Sequence, residues 1–149
     1  MSRAELIAAL DEAAARAARI DDDAGAVAPL LLRILGAASD TSEVTQALAD
    51  VAPSRALLRI TDAGAAIEFQ AGEGRLHVEP SDTKGKGPKV DATAATWLGL
   101  IGGTLKPWLA FTRGLVVCRA GLNELRWIQT VAERLQRGYA AARAADAPR

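Results

Sequence analysis

The 149-residue chain is predicted to form an α+β domain with helices packed on one face of a five-stranded, mostly antiparallel sheet. Two observations predict this fold. Apolar residues recur at helical spacing before residue 53 and again after residue 121, whereas between Ala56 and Val78 they alternate with a period of two. Short Gly-containing turns separate the alternating segments, which is typical of an antiparallel meander.

Three helices are predicted in an N-terminal helical segment that covers residues 1–53. The first spans residues 3–20 and ends at the aspartates 21–23. The second begins at Pro29 and ends at Gly36, because Pro suits a first helical turn and Gly suits a helix C-cap. The third begins near Asp40 and ends before Pro53, with one apolar stripe facing inward.

The strands and the remaining helices follow in the segment that covers residues 54–138. A polar loop over residues 81–88 separates the third and fourth strands. One helix ends at Gly102 and Gly103, a short helix starts at Pro107, and a closing helix starts at Leu122, with a frayed tail from Arg143. The predicted strands cover residues 56–61, 65–72, 76–79, 89–93 and 115–120.

Composition excludes several classes of protein. Basic and acidic residues balance at 18 each, and the sequence shows no basic stripe interleaved with aromatic residues, which argues against nucleic-acid binding. Cys118 and His77 each stand alone, which excludes an internal disulfide and the common zinc spacings. The longest uncharged run, residues 92–105, is too short to span a bilayer. We therefore expect one cytoplasmic domain without metal or cofactor.

The polar motifs do not form a catalytic set. Residues 99–104 are rich in glycine but close a helix, whereas a phosphate loop opens one. His77 and Glu79 share the solvent side of a strand, where catalysis would lack a water-excluded cavity. Cys118 has no base nearby in the sequence. The basic loop 84–89 is either a solvated connection or an electrostatic contact for a phosphate-bearing headgroup.

Apolar positions of the strands and helices are expected to converge. They form either an ordinary dry core or the lining of a ligand cavity, and periodicity alone does not distinguish the two. The aromatic fraction is only 4%, and many positions are Ala, which leaves room for a cavity. The candidate ligand-binding residues are Leu58, Ile60, Ile67, Phe69, Val78, Val116 and Cys118 from strands and Trp97, Ile101, Trp108, Phe111, Leu125 and Ile128 from helices.

The segment between Gly103 and Val116 reads Gly-Thr-Leu-x-Pro-x-x-Ala-Phe-x-x-Gly-x-Val. This pattern, with a strand before it and an amphipathic helix after it, resembles the sterol carrier protein (type two) lipid-transfer family. The resemblance extends from Arg55 to about Leu135, and residues 56–62 and 65–72 lie where that family has its first two strands.

The resemblance implies an apolar tunnel for an amphipathic lipid, such as a sterol, steroid, fatty acid or acyl-coenzyme A. It also implies a carrier without enzymatic activity, whose partners are a small lipophilic ligand and, transiently, a membrane or an enzyme. Two alternatives stay open. The domain could present a lipophilic biosynthetic intermediate to a partner enzyme, or it could itself be an enzyme acting on an apolar substrate.

The outer face of the predicted sheet carries apolar residues that need a cover. Leu115 and Val117 alternate with Val116 and Cys118, so the fifth strand is apolar on both faces. Leu57 of the first strand also points outward. We expect either the helix at residues 29–35 or a second copy of the protein to cover these side chains, and a homodimer is the favoured choice.

Overall fold

The computed structural model describes residues 2–17 and 24–146 and confirms the predicted α+β fold. The five strands form one sheet in the order β3-β2-β1-β4-β5. They are β1 (Ser54–Ile60), β2 (Ala65–Gly72), β3 (Arg75–Ser81), β4 (Lys89–Ala92) and β5 (Val117–Arg119). The helices are α1 (Ser2–Ala17), α2 (Val27–Ser39), α3 (Ser42–Ala47), α4 (Ala94–Gly102), α5 (Pro107–Thr112) and α6 (Leu122–Asp146).

The N-terminal helices differ from the prediction at their ends. Helix α2 continues through Gly36, because the next turn buries Ala37 and Ala38 against the core and this packing outweighs the low helix propensity of glycine. Helix α3 ends at Ala47, short of Pro53. The predicted end of the first helix and the aspartates 21–23 lie outside the described residues. None of the described helices has both the length and the apolar character needed to cross a bilayer.

The helices of the C-terminal half agree better with the expected boundaries, whereas β5 covers only residues 117–119 of the strand predicted at 115–120. Helix α4 ends at a left-handed Gly103, with φ of 82°. Helix α5 begins at Pro107, and α6 begins at Leu122. Helix α6 stays regular to Asp146, past the fraying expected from Arg143, and Ala142 is buried within its last turns.

The strand pairing corrects the simple meander. Strands β1, β2 and β3 pair antiparallel in sequence order, but β4 pairs with β1 in parallel, with Leu58 opposite Val90. Strand β5 then pairs antiparallel with β4. The connection from β3 to β4 therefore passes across the sheet from one edge to the other side of β1.

This crossing connection, residues 82–88, lies on the outer face, which we define as the face that carries Leu57 and Arg59. The Arg59 Nη1 donates a hydrogen bond to the Thr83 carbonyl at 3.1 Å. A Cβ placed on Gly85 would lie 3.3 Å from the Leu57 side chain, which is buried. Both expected covers of Leu57, the helix at residues 29–35 and a second copy of the protein, were therefore wrong. The chain covers it with its own loop, whereas Val117 stays exposed.

Beside this loop a carboxylate is almost buried on the outer face. Asp91 of β4 accepts hydrogen bonds from the Arg59 Nε and Nη2, both at 2.5 Å, and from the Arg119 Nε at 3.1 Å. Arg59 above all, and Arg119 after it, hold the pKa of Asp91 below its usual value. Through these hydrogen bonds, the Asp91 carboxylate links strands β1, β4 and β5.

The opposite, inner face carries Ala56, Leu58 and Ile60 of β1, all buried. The register places Phe69 beside Ala56 and Val90 beside Leu58 on the same face. Helix α2 packs against β3, and its Leu35 is fully buried. The apolar core thus lies between the inner face and the helices.

Candidate apolar cavity

A cavity of about 70 Å³ lies between the inner face of the sheet and helices α4, α5 and α6. Its wall is almost entirely apolar, and none of its lining residues is charged. The lining residues are Leu35 of α2; Ala56, Leu58, Phe69 and Val90 of the sheet; Trp97, Leu100 and Ile101 of α4; Pro107 and Phe111 of α5; Val116; and Trp127, Ile128, Val131, Ala132, Leu135, Gln136 and Tyr139 of α6.

The structure separates the sequence-predicted candidates into two groups. Those that line the cavity are Leu58, Phe69, Trp97, Ile101, Phe111, Val116 and Ile128. The others lie elsewhere. Ile60 and Ile67 are fully buried but do not line the cavity, and Val78, Cys118 and Leu125 are half-buried and do not line it either.

Trp108 differs most from its expected place. Its side chain is 55% exposed, whereas Pro107 and Phe111 of the same helix line the cavity. Pro107 and Phe111 are four residues apart and so share one helix face, and Trp108 is turned about 100° from Pro107. A helix of six residues gives too short a pattern for this face to be read from the sequence.

Sequence reasoning missed most of the α6 contribution, although a signal existed. Ile128, Val131, Leu135 and Tyr139 recur at spacings of three and four, which places them on one helix face. Reading this stripe to its end would have added Tyr139. By contrast, Leu35 reaches the cavity from the N-terminal segment, and nothing local in the sequence predicts that contact.

The two tryptophans in the wall present apolar surface to the cavity. The Trp97 Nε1 donates to the Arg59 carbonyl at 2.9 Å, and the Trp127 Nε1 donates to the Ala52 carbonyl at 2.7 Å. Because both indole N–H groups are used by backbone carbonyls, the rings are oriented by these bonds and offer the cavity mainly their carbon surfaces.

Besides the two indoles, two polar side chains stand in the wall, both on α6. The Gln136 Nε2 donates to the carbonyls of Leu100 and Leu105, at 2.8 and 3.0 Å, and so joins α6 to the end of α4. Tyr139 is 5% exposed, and its hydroxyl has no hydrogen-bond partner among the described residues. Burial raises the pKa of the Tyr139 phenol, which therefore stays protonated.

The other polar motifs lie away from the cavity. His77 and Glu79 are exposed on the outer side of β3, with 3.8 Å between the Nε2 and the carboxylate oxygen. Burial, and secondly the charge of Asp91, raises the pKa of the Cys118 thiol to about 11. Within residues 2–17 and 24–146, no cluster of His, Cys, Asp and Glu could hold a metal ion.

The glycine-rich segment 99–104 is used as a helix end. The Thr104 and Leu105 amides both donate to the Gly99 carbonyl, at 2.9 and 3.0 Å. These amides satisfy the C-terminus of α4 and are not directed outward, so the segment has no cradle for a phosphate.

No protein-family model matches the chain, and no curated protein matches it in sequence. Solved structures do match. A crystal structure of sterol carrier protein 2 aligns with a TM-score of 0.55 and 20% identity over 77% of this chain and 95% of that chain. The solution structure of TT1886 from Thermus thermophilus, a hypothetical protein suggested to be a sterol carrier protein, aligns with a TM-score of 0.52 and 19% identity over 70% of this chain and 79% of that one.

A third match is to part of a much larger protein. A double mutant of the sec-alkyl sulfatase PisA1 aligns with a TM-score of 0.50 and 17% identity over 67% of this chain. The chain spans only 15% of that sulfatase. At these identities the matches define a fold and not a ligand or an activity. Together with the sheet order and the helices on its inner face, they show that this chain has the fold of sterol carrier protein 2.

Proposed function

We propose that the protein binds a lipophilic molecule in the cavity beside α6 and carries it through the cell without chemical change. The observation that supports this proposal best is the wall itself, which combines an almost wholly apolar surface with indole N–H groups already paired to backbone. Ligand pockets are typically of this kind, apolar with few polar groups. Sterol carrier protein 2, which shares the fold, is named for the same kind of ligand.

The cavity must widen to accept a lipid. An apolar cavity of about 150 Å³ is known to admit a molecule as small as benzene, and the cavity here measures about 70 Å³. Helix α5 is the element best placed to move. It has six residues, contributes Pro107 and Phe111 to the wall, and is flanked by Gly103 and Gly114, both at positive φ.

Binding would be driven by removal of apolar ligand surface from water, at roughly 25 cal/mol per Å². No acid–base pair stands among the lining residues, since their polar side chains are an amide, a phenol and two indoles. We therefore propose a passive carrier. Cys118→Ser and His77→Ala should retain ligand binding, and loss of a turnover in either variant would favour the enzyme alternative.

The test uses N-phenyl-1-naphthylamine, an uncharged fluorophore that brightens in apolar surroundings. The wild type should bind it saturably at one site. Val116→Trp should abolish binding, because Val116 lines the cavity, and Val117→Trp is the matched control, because the next side chain is exposed. Absence of saturable binding in the wild type would contradict the proposal. Equal effects of the two substitutions would place the probe elsewhere.

Thermal unfolding completes this test. If the cavity is spare volume, Val116→Trp should keep a melting temperature close to that of the wild type. In a rigid, dry core the larger ring would overpack and cost roughly 1–3 kcal/mol of unfolding free energy. A large fall in melting temperature would therefore favour a structural core over a binding site.

A second function, presentation of the ligand to a partner enzyme, is favoured by one observation. Helix α5 places Phe111 in the cavity wall and exposes Trp108 on the surface, so a surface contact could be coupled to opening. Transfer of the fluorophore to lipid vesicles distinguishes the two functions. A carrier that collides with membranes should transfer faster at higher vesicle concentration, whereas a presenting module should release at a constant, slow rate.

A further inference from the structure

The Tyr139 hydroxyl is the least satisfied polar group in the cavity wall. Tyr139 is 5% exposed, its side chain belongs to the lining, and the hydroxyl finds no partner among residues 2–17 and 24–146. A buried hydroxyl without a hydrogen bond is costly, and phenylalanine would fill the same volume without that cost. The hydroxyl is therefore an unused donor on a side chain that lines the cavity.

Gln136 stands about one helical turn before Tyr139 on α6, and both residues line the cavity. Both donor bonds of its Nε2 are made to the Leu100 and Leu105 carbonyls. These bonds fix the orientation of the amide, so its carbonyl oxygen is held in a defined position. A phenol donor and an amide acceptor on one face of α6 suit a group that can accept one hydrogen bond and donate another.

The lack of charged residues in the cavity lining limits which ligand group can lie beside Tyr139. No lysine, arginine or histidine lines the cavity, and Tyr139 is neutral because burial raises the pKa of its phenol. A carboxylate or a phosphate moved into this space would lose its hydration with no cation to compensate. An uncharged oxygen would lose much less hydration free energy than a carboxylate or a phosphate, and it would gain the hydrogen bond to Tyr139.

We propose that the ligand is an uncharged lipid with a hydroxyl or ketone oxygen, which enters the cavity oxygen first and accepts a hydrogen bond from Tyr139. This inference rests on the proposed function, since it requires that the cavity binds a lipophile. It narrows the expected ligands to neutral oxygenated lipids and places the acidic headgroup of a fatty acid or coenzyme A ester outside the cavity.

The test compares octane, octan-1-ol, octan-2-one and octanoate in the wild type and in Tyr139→Phe. Trp97 and Trp127 line the cavity, so tryptophan fluorescence reports occupancy. The substitution should weaken the alcohol and the ketone about tenfold, the value of one hydrogen bond, and should leave octane within about twofold. Octanoate should bind most weakly and should not respond to the substitution.

Leu135→Met is the control variant, because it changes the apolar wall at nearly constant volume and should affect all probes equally. Tyr139→Phe should also leave the melting temperature of the ligand-free protein unchanged or raised. A fall of several degrees would show that the hydroxyl is already hydrogen-bonded and would overturn the inference.

The remaining outcomes separate this inference from the proposed function. If octane binds and Tyr139→Phe weakens every probe alike, or none, the cavity binds lipophiles but Tyr139 does not select oxygen, and the inference is wrong. If octanoate binds more tightly than octan-1-ol, the charge argument is wrong. If no probe binds, including octane, the proposed function itself fails.

Discussion

Phe69 of β2 and Trp127 of α6 meet edge to face in the cavity wall, with ring centroids 6.3 Å apart and planes at 63°. The contact joins the sheet to the longest helix at the place where both line the cavity. The Trp127 ring is further anchored by its bond to the Ala52 carbonyl. The Phe69–Trp127 contact therefore both lines the cavity and holds the sheet against α6.

Trp127→Phe should therefore lower stability and enlarge the cavity together. The smaller ring loses the bond to Ala52 and part of the contact with Phe69, which should lower the free energy of unfolding by about 1–2 kcal/mol. The added space should tighten octane binding. Denaturant titration and tryptophan-independent octane binding by NMR measure the two effects.

Trp108→Phe is the matched control, because Trp108 is mainly exposed and lies outside the cavity. Trp108→Phe should change neither the free energy of unfolding nor the affinity for octane appreciably. Equal losses of stability in the two variants would contradict the assignment of Trp127 to the wall and Trp108 to the surface.

Asp91→Asn should make the protein less stable at neutral pH by about 2 kcal/mol, since it weakens the charge-assisted bonds to Arg59 and Arg119. The folded-state pKa of Asp91 is lowered, so its contribution is present above the unfolded pKa of about 3.9 and is lost as the pH falls through the folded value. The difference between wild type and variant should consequently shrink below about pH 4.

Urea titrations from neutral to acidic pH measure this difference. Glu79→Gln is a suitable control, because Glu79 is exposed on β3 and remote from the Asp91 cluster. A gap between wild type and Asp91→Asn that grew on acidification would have the wrong sign for a carboxylate with a lowered pKa.

Gly72→Ala should disrupt the β2–β3 hairpin. Gly72 has φ of 141°, and a Cβ there would lie 2.3 Å from the Pro53 Cα, which is a backbone atom that cannot rotate away. We expect a loss of about 2–3 kcal/mol in unfolding free energy. Gly64→Ala is the comparison variant, because Gly64 also has a positive φ, of 61°, but a Cβ there would meet no other atom. It should therefore show the cost of backbone strain alone, about 1 kcal/mol of unfolding free energy.

The next prediction concerns the oligomeric state. Among the described residues, the large apolar side chains that are exposed are Trp108, Leu115, Val117 and Leu122. We predict that a second copy covers Leu115 and Val117, so the wild type should sediment as a dimer at micromolar concentration. Leu115→Lys combined with Val117→Glu should give a monomer that stays folded, because both side chains are exposed in the single chain. A monomeric wild type would contradict this prediction.

Local features of the sequence predicted most of the fold. Alternation and Gly turns indicated β1, β2 and β3, and the Gly103 and Pro107 signals indicated the adjoining ends of α4 and α5. The parallel pairing of β1 with β4 was not predicted, because strand order depends on contacts far apart in sequence. Gly36 favours a helix end by local propensity, but α2 continues past it because the following turn is buried, which local propensity does not reveal.

The lining of the cavity is harder to predict from the sequence than the strands that form one of its walls. Strand parity predicts Leu58 and Phe69 on the inner face, where the structure has them, because a period of two admits only two faces. Val116 also lines the cavity, but it precedes β5 and lies outside the strand. Parity does not say which inner-face residues border the space, so it does not distinguish Leu58, which lines the cavity, from Ile60 and Ile67, which do not. Helix faces in short segments were less certain still, as Trp108 shows.

The crossing connection over the outer face has a consequence for the order of folding. The β1–β2–β3 meander closes through short turns, whereas Arg59 and Asp91 meet across 32 residues, so β4 loses more loop entropy before it pairs. Val90 of β4 forms part of the cavity floor. The cavity should therefore be completed late, after the meander already exists, and an early folding intermediate would expose the apolar surface that the finished cavity hides.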